Sequence, residues 1–153
     1  MAAARDITPE QMAAYVRGGR AGAVIVGSHV KKTTAQLAEL LKQPGVVGLE
    51  VDVERIGPAR DALLEEVRLA AEAVHARNET PAVYTTRVEK TFADQATRLA
   101  FGEQVSAFLM DVVSNLPVSI GFLISKGGIT SNDVLSDGLA LRTSRVVGQI
   151  LAG

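Results

Sequence analysis

The chain contains no cysteine. That absence excludes a disulfide framework, a thiolate nucleophile and any cysteine-bound zinc or iron–sulfur centre. It also fits a reducing, cytoplasmic setting. An excess of charge of either sign is missing too, since Lys plus Arg number 16 and Asp plus Glu 17, for a formal net charge of -1. A surface dedicated to nucleic acid or to anionic membrane would need a basic excess. No apolar run approaches the roughly 18 residues of a membrane-spanning helix. The opening MAAARDITPEQ carries no apolar stretch of the secretory type, so no secretory signal is expected. Asn78-Glu79-Thr80 is accordingly read as a chance match to the glycosylation sequon.

What is present is a chain of 153 residues, 47% hydrophobic and 22% charged. That length predicts one domain spanning 1–153, able to bury a core without disulfides or metal. Helix-period and strand-period segments alternate along it. Thr8 followed by Pro9 opens a short helix that Gly18-Gly19 stops. AGAVIVGS (21–28) is a continuous apolar run between glycines, the pattern of a parallel strand buried on both faces. A helix is expected from about 33 to 41, ended by Pro44-Gly45. In the strand expected over 46–53, Leu49, Val51 and Val53 face one way and Glu50, Asp52 and Glu54 the other, which suits a strand near the sheet edge.

A long helix follows from Pro58 to about Arg77, with Leu63, Val67, Ala70 and Val74 as its core stripe. AVYTT (82–86) is a short strand. A helix over about 93–115 buries Ala96, Leu99, Val105, Phe108, Leu109, Val112 and Val113. Pro117 ends it, VSIGFLIS (118–125) reads as another strand, and a short helix and the apolar RVVGQILAG close the chain, with room for a last strand. This alternation implies right-handed crossovers and an α/β three-layer sandwich, a mainly parallel sheet flanked by helices.

Ligands of such sheets bind beyond the carboxyl ends of the strands. Three turns there carry unusual chemistry: Gly27-Ser28-His29, Thr85-Thr86-Arg87 and Lys126–Ser131, and they should share one rim. In the last, paired glycines permit close approach of backbone to ligand, and the helix N-terminus offers free N–H groups suited to phosphate. Thr130 or Ser131 would cap that helix, with Asp133 completing a capping-box-like start. An ordinary capped strand-to-helix turn explains the same residues. The spacing is neither a Walker A loop nor a dinucleotide fingerprint.

Ser28 can bind a ligand or cap the next helix together with Thr33 and Thr34. His29 can act as a base or be an exposed loop residue. His75 falls on a polar helix face, and the two histidines make no metal pair. Arg87 can clamp a phosphate or pair with Glu89 or Asp94. Glu50, Asp52 and Glu54 can hold magnesium or form a solvated edge. No complete catalytic apparatus is present, and no catalytic or metal-ligating residue is assigned.

Three segments together resemble a known family. IVGSHVKKTTAQL (25–37), TPAVYTTR (80–87) and LISKGGITSNDVLSDGLALRTSRVVGQILAG (123–153) are similar to the C-terminal domain of four-carbon acid sugar kinases. The resemblance implies ATP-dependent phosphorylation of threonate, erythronate or their 3-oxo forms by a two-domain enzyme that uses a divalent metal. Its N-terminal domain holds the acid sugar and the catalytic Asp, and its C-terminal domain holds the nucleotide. Carried over, Ser28, Gly127, Gly128, Ile129 and Thr130 would contact ATP or ADP, with Arg87 and Lys126 as nearby phosphate contacts and Mg2+ arriving with the nucleotide. The family continues beyond the segment matching Leu151–Gly153 to a P-G-N-x-G stretch that also touches nucleotide. The acid-sugar domain would have to be supplied in cis or in trans, so this polypeptide alone is expected to be inactive as a kinase. Two other readings use the same fold. One is a non-catalytic interaction or regulatory module, able to dock on a partner or form a homodimer. The other is a binder of sugar phosphates.

Overall fold

The structure is a computed structural model that describes residues 6–87 and 90–149, apart from the side chains at 128 and 129. Four strands, β1 (Ala23–Val26), β2 (Val46–Val51), β3 (Thr80–Thr85) and β4 (Leu123–Lys126), form one parallel sheet in the order β2-β3-β1-β4. The run of branched apolar residues in β1 has the environment its composition predicts. It lies between two neighbours and is buried on both faces, with no residue more than 4% exposed. β2 is an edge strand, and Glu50 on its outer face is exposed, as the alternation predicts.

Helices cover both faces. On one, α2 (Lys31–Leu40) lays Leu37 and Leu40 against Val24, Val26 and Ala82. On the other, α3 (Arg60–Ala76) and α4 (Gln95–Ser114) enclose the main core, where Leu63, Val67, Phe108 and Leu109 meet Ile25, Val51 and Val83. The result is a helix–sheet–helix sandwich. None of the helices in the described residues is long and apolar enough to cross a membrane.

At the N-terminus Thr8 caps α1 (Pro9–Met12) in a capping box with Gln11. The expected helix to Gly18 is instead broken into α1 and two 3-10 turns, Ala13–Tyr15 and Arg17–Gly19, because Val16 is extended. The core stripe of α3 uses Ala71 rather than Ala70. The first half of α4 reaches the core only through Phe101 and Val105, which are partly buried against it. Leu99 is 60% exposed and full burial begins near Phe108, although Asp94 caps the helix through the Thr97 amide at 2.7 Å.

The strand expected from Val118 starts only at Leu123. Before it, Arg17 donates to the carbonyls of Val118 and Ile120, and Ile120 N closes a turn on Pro117 O at 3.1 Å. Those carbonyls are satisfied by a guanidinium, so they are not available to a neighbouring strand. Asp52, expected in β2, instead caps a 3-10 turn over Val53–Arg55. Beyond α5 (Gly128–Asp133) the helix widens into a π turn at Val134–Gly138, and Gln149 makes a single bridge to Asp6. The last strand allowed for by RVVGQILAG falls partly outside the described residues, which end at 149.

Phe108 has no exposed surface and sits at the centre of the core between α3, α4 and the sheet. Phe108→Ala is expected to destabilise the fold by about 3–5 kcal/mol. Urea denaturation checks this, and an unchanged midpoint would show that the α3–α4 layer does not carry the core.

Candidate functional site

Parallel pairing brings the carboxyl ends of all four strands to one rim. Val26 is in register with Lys126, so Gly27 and Gly127 leave the sheet side by side. Their lack of side chains decides how close the two chains come. A Cβ at Gly27 would collide with Thr130 Oγ1 and lie 3.3 Å from Leu109 Cδ1. Gly127 has φ +123, a conformation that other residues rarely adopt, and a Cβ there would sit 3.1 Å from Ser28 Cβ. The turns after β1 and β4 therefore touch, with Ser28, Gly127 and Thr130 at one place.

The helices opening at this rim have no side-chain caps. Val30 precedes α2 and Gly127 precedes α5, and neither supplies a capping hydrogen bond, so the first N–H groups of both remain free of side-chain caps. Thr130 and Ser131, expected as caps, lie inside α5, because the helix already begins at Gly128. Ser131 Oγ accepts from Ser125 Oγ at 3.0 Å, and Asp133 accepts from Ser106 Oγ at 2.5 Å rather than closing a capping box. Ser28 Oγ accepts only long bonds, 3.5 Å from Val30 N and 3.4 Å from Thr33 Oγ1, which leaves its hydroxyl weakly committed. Lys126 is exposed at the end of β4, and the Ile129 side chain lies outside the described atoms.

Two further groups stand behind the Ser28 turn. The His29 ring, exposed on one side, bonds through Nε2 to Oγ1 of the fully buried Thr85 at 2.9 Å. Arg87 donates through Nη1 to the Ser28 carbonyl, and its Cζ lies 5.9 Å from the Tyr84 ring centroid. Its Nε and Nη2 are buried and have no partner among the described residues. Burial pushes the Arg87 guanidinium down from its ordinary value, against the attraction of Tyr84 and Glu50. Asp94 is committed to the α4 cap, and Glu89 lies outside the described residues.

In front of the turns a cleft of about 490 Å³ runs along α4. Gly27, Ser28, Gly127 and Thr130 line one end, and Phe92, Phe101 and Val105 line more of it. Among the described residues the fixed charges in its lining are Lys90 and Arg98, and no described carboxylate lines it. A second cleft of about 410 Å³ on the other flank of α4 is lined by Glu103, Asp111, Asp133 and Asp137, with no cation in its lining. Sequence reasoning does not single out Lys90, Phe92, Arg98 or Phe101. Phe101 precedes Val105 and Leu109 at helical spacing; periodicity reads those two as core and assigns Phe101 no role.

The carboxylate row of the edge strand gathers no metal site. Asp52 accepts from Glu54 N at 3.0 Å, Glu54 pairs with Lys90 at 2.8 Å, and no metal-binding cluster occurs among the described residues. His75 is not on a polar face, since its Nε2 meets Ser119 Oγ at 2.9 Å and its Nδ1 is buried.

Burial, reinforced by the Arg87 charge, holds the His29 imidazole below its ordinary value of 6.5. The folded state then favours the neutral ring. Below that value the unfolded chain takes up more protons than the folded one, so folding stability falls as pH drops from 6.5 toward the folded pKa. An NMR titration of the ring should give a midpoint below 6.5. His29→Gln should lose less stability than the native chain over the same acid range. A midpoint at or above the ordinary value contradicts the placement of this ring.

Comparison with known proteins adds one finding. No curated protein and no solved structure matches the chain significantly. The family model described as nucleotide-binding C-terminal domain matches residues 23–153, a span that starts at β1 and takes in all three rim turns. The chain belongs to the nucleotide-binding C-terminal domain family, the domain found in four-carbon acid sugar kinases.

Proposed function

We propose that the chain, as one domain over 1–153, holds the nucleotide of a four-carbon acid sugar kinase and presents ATP to an acid sugar bound on a separate N-terminal domain. The observation that carries this reading is the junction of Ser28, Gly127 and Thr130 at the head of a cleft that Arg98 and the Glu54-paired Lys90 also line. Bare glycine backbone and uncapped helix N-termini suit phosphate oxygens, which accept hydrogen bonds and carry negative charge. In this reading the phosphates of ATP or ADP lie over Gly127, Gly128, Ile129 and Thr130. The Ser28 hydroxyl adds a donor, Lys126 a nearby positive charge, and Arg87 support from behind the turn.

The chain's own part is to bind and orient. Phosphoryl transfer depends mainly on positioning and charge stabilisation, so a domain that fixes the donor phosphates supplies one half of the geometry. Mg2+ would neutralise the developing charge. Among the described residues the cleft lining includes no carboxylate, so the ion would be held chiefly by the nucleotide's phosphates. The acid sugar, the catalytic base and the second wall of the site belong to the partner domain.

Calorimetric titration with ADP and magnesium, in parallel with NAD and a sugar phosphate, tests the assignment. ADP is expected to bind and to be lost in Gly128→Val, because a branched side chain on the first residue of α5 blocks the approach of phosphate to backbone. Equal ADP binding by a folded Gly128→Val protein removes the phosphates from this turn. Binding of the sugar phosphate alone would replace the nucleotide reading altogether.

A further inference from the structure

The cleft extends well past the glycine turns. Leu109 packs at Gly27, and Val105 and Phe101 follow it toward the start of α4. Eight residues separate Leu109 from Phe101, about 12 Å of helix at the usual rise. At that far end the rings of Phe92 and Phe101 lie 5.3 Å apart and tilted by 48°. Lys90 Nζ stands 4.4 Å from the Phe101 centroid, and Arg98 lines the same cleft without an ion pair among the described residues. Phe101 is partly buried: it packs in part against the main core, its remaining surface lines the cleft, and the Lys90 ammonium, paired with Glu54, lies over its ring.

A pair of partly buried phenyl rings lining one end and a phosphate-type turn at the other ask for a ligand with two unlike ends. A sugar phosphate offers no π face, and an inorganic phosphate does not span the distance. A flat heteroaromatic base joined through a sugar to phosphates does both. Stacking on Phe101 removes apolar surface of both partners from water, and the two cations can donate to ring nitrogens or oxygens.

We propose that Phe101, buttressed by Phe92, is the stacking platform for the base of a nucleoside phosphate, with Lys90 and Arg98 as donors around its edge. This rests on the phosphate placement proposed above and assigns the residues that make the site prefer a nucleotide to a bare polyphosphate. Specificity then has a physical origin separate from the glycine turns. The phosphates are held by backbone, and the base is held by the upper half of α4.

The test is calorimetry with the native chain, Phe101→Ala and Phe92→Ala, each titrated with magnesium ADP and magnesium pyrophosphate. The native chain should bind ADP more tightly than pyrophosphate. Phe101→Ala should weaken ADP about tenfold or more while pyrophosphate stays within about twofold, and Phe92→Ala should act in the same direction but less. A folded Phe101→Ala protein that keeps its ADP affinity overturns the platform. Equal native affinities for ADP and pyrophosphate also overturn it, while leaving the phosphate turn standing. If the native chain binds neither, the phosphate placement fails and the platform fails with it. Should the variant not fold, intermolecular NOEs from the Phe101 ring to the base protons of ADP in the native chain decide the same question, and their absence at saturating ADP counts against the proposal.

Discussion

The rim is organised by how closely β1 and β4 can run past each other where they leave the sheet. β1 is buried on both faces and in register with β3 and β4, so its end point is fixed by the core and cannot slide. The next residue on each side must then fit beside the other. Gly27 leaves room for Thr130, and Gly127 takes a backbone conformation closed to most side chains. From this one approach the rest follows. Ser28 is pressed against the start of α5, Thr130 points into the cleft lining, and α5 begins at once without a capping side chain. Larger residues at either position would push the turns apart and dissolve the constellation while leaving the sheet below it intact.

A second constraint is electrostatic. The net charge of -1 suggests a featureless surface, yet α4 separates two clefts of opposite sign. One is lined by Lys90 and Arg98 and the other by Glu103, Asp111, Asp133 and Asp137. Ser106 lines both, so the boundary is a single helix wide. Glu54 pairs with Lys90 and Arg60 with Asp111, so Arg98 on one flank and Glu103, Asp133 and Asp137 on the other carry most of the contrast, and clefts focus such fields. Whole-chain arithmetic cancels this separation. Neutral composition therefore does not exclude a small anion site.

Much of the scaffold is legible in the sequence because its signals are local. The glycine-bounded apolar run forms β1, the Thr8 capping pair forms, and the alternation of Leu49, Val51 and Val53 with carboxylates marks an edge strand. Where sequence and structure differ, the deciding partner is distant along the chain. Arg17 takes the Val118 carbonyl across 101 positions, and no periodicity in VSIGFLIS reveals that its first half is already engaged. Periodicity also assigns a face without saying what covers it. The stripe of α4 therefore reads as core, although Leu99 is exposed and Phe101, partly buried against the core, also lines a cleft. The glycine pair is recognisable as a place of close approach. That the first thing it approaches is another glycine turn can come only from the strand order.

Strand order also explains the position of Arg87. β3 adjoins β1, so the residue just past β3 lies under the turn just past β1, and its guanidinium meets the Ser28 carbonyl from behind. That carbonyl shares a planar trans peptide with the His29 N–H, so a donor holding the oxygen on one side turns the N–H to the other. Arg87 does not line the cleft, whereas Ser28 and His29 do. A cation with two buried nitrogens that meet no partner among the described residues is a costly way to brace a loop. The cost becomes intelligible if what matters is the direction of the backbone donors above it, together with a positive charge held close to them where bulk water does not screen it. In this arrangement the arginine fixes the direction of the peptide, and the glycines leave the backbone beside it uncovered.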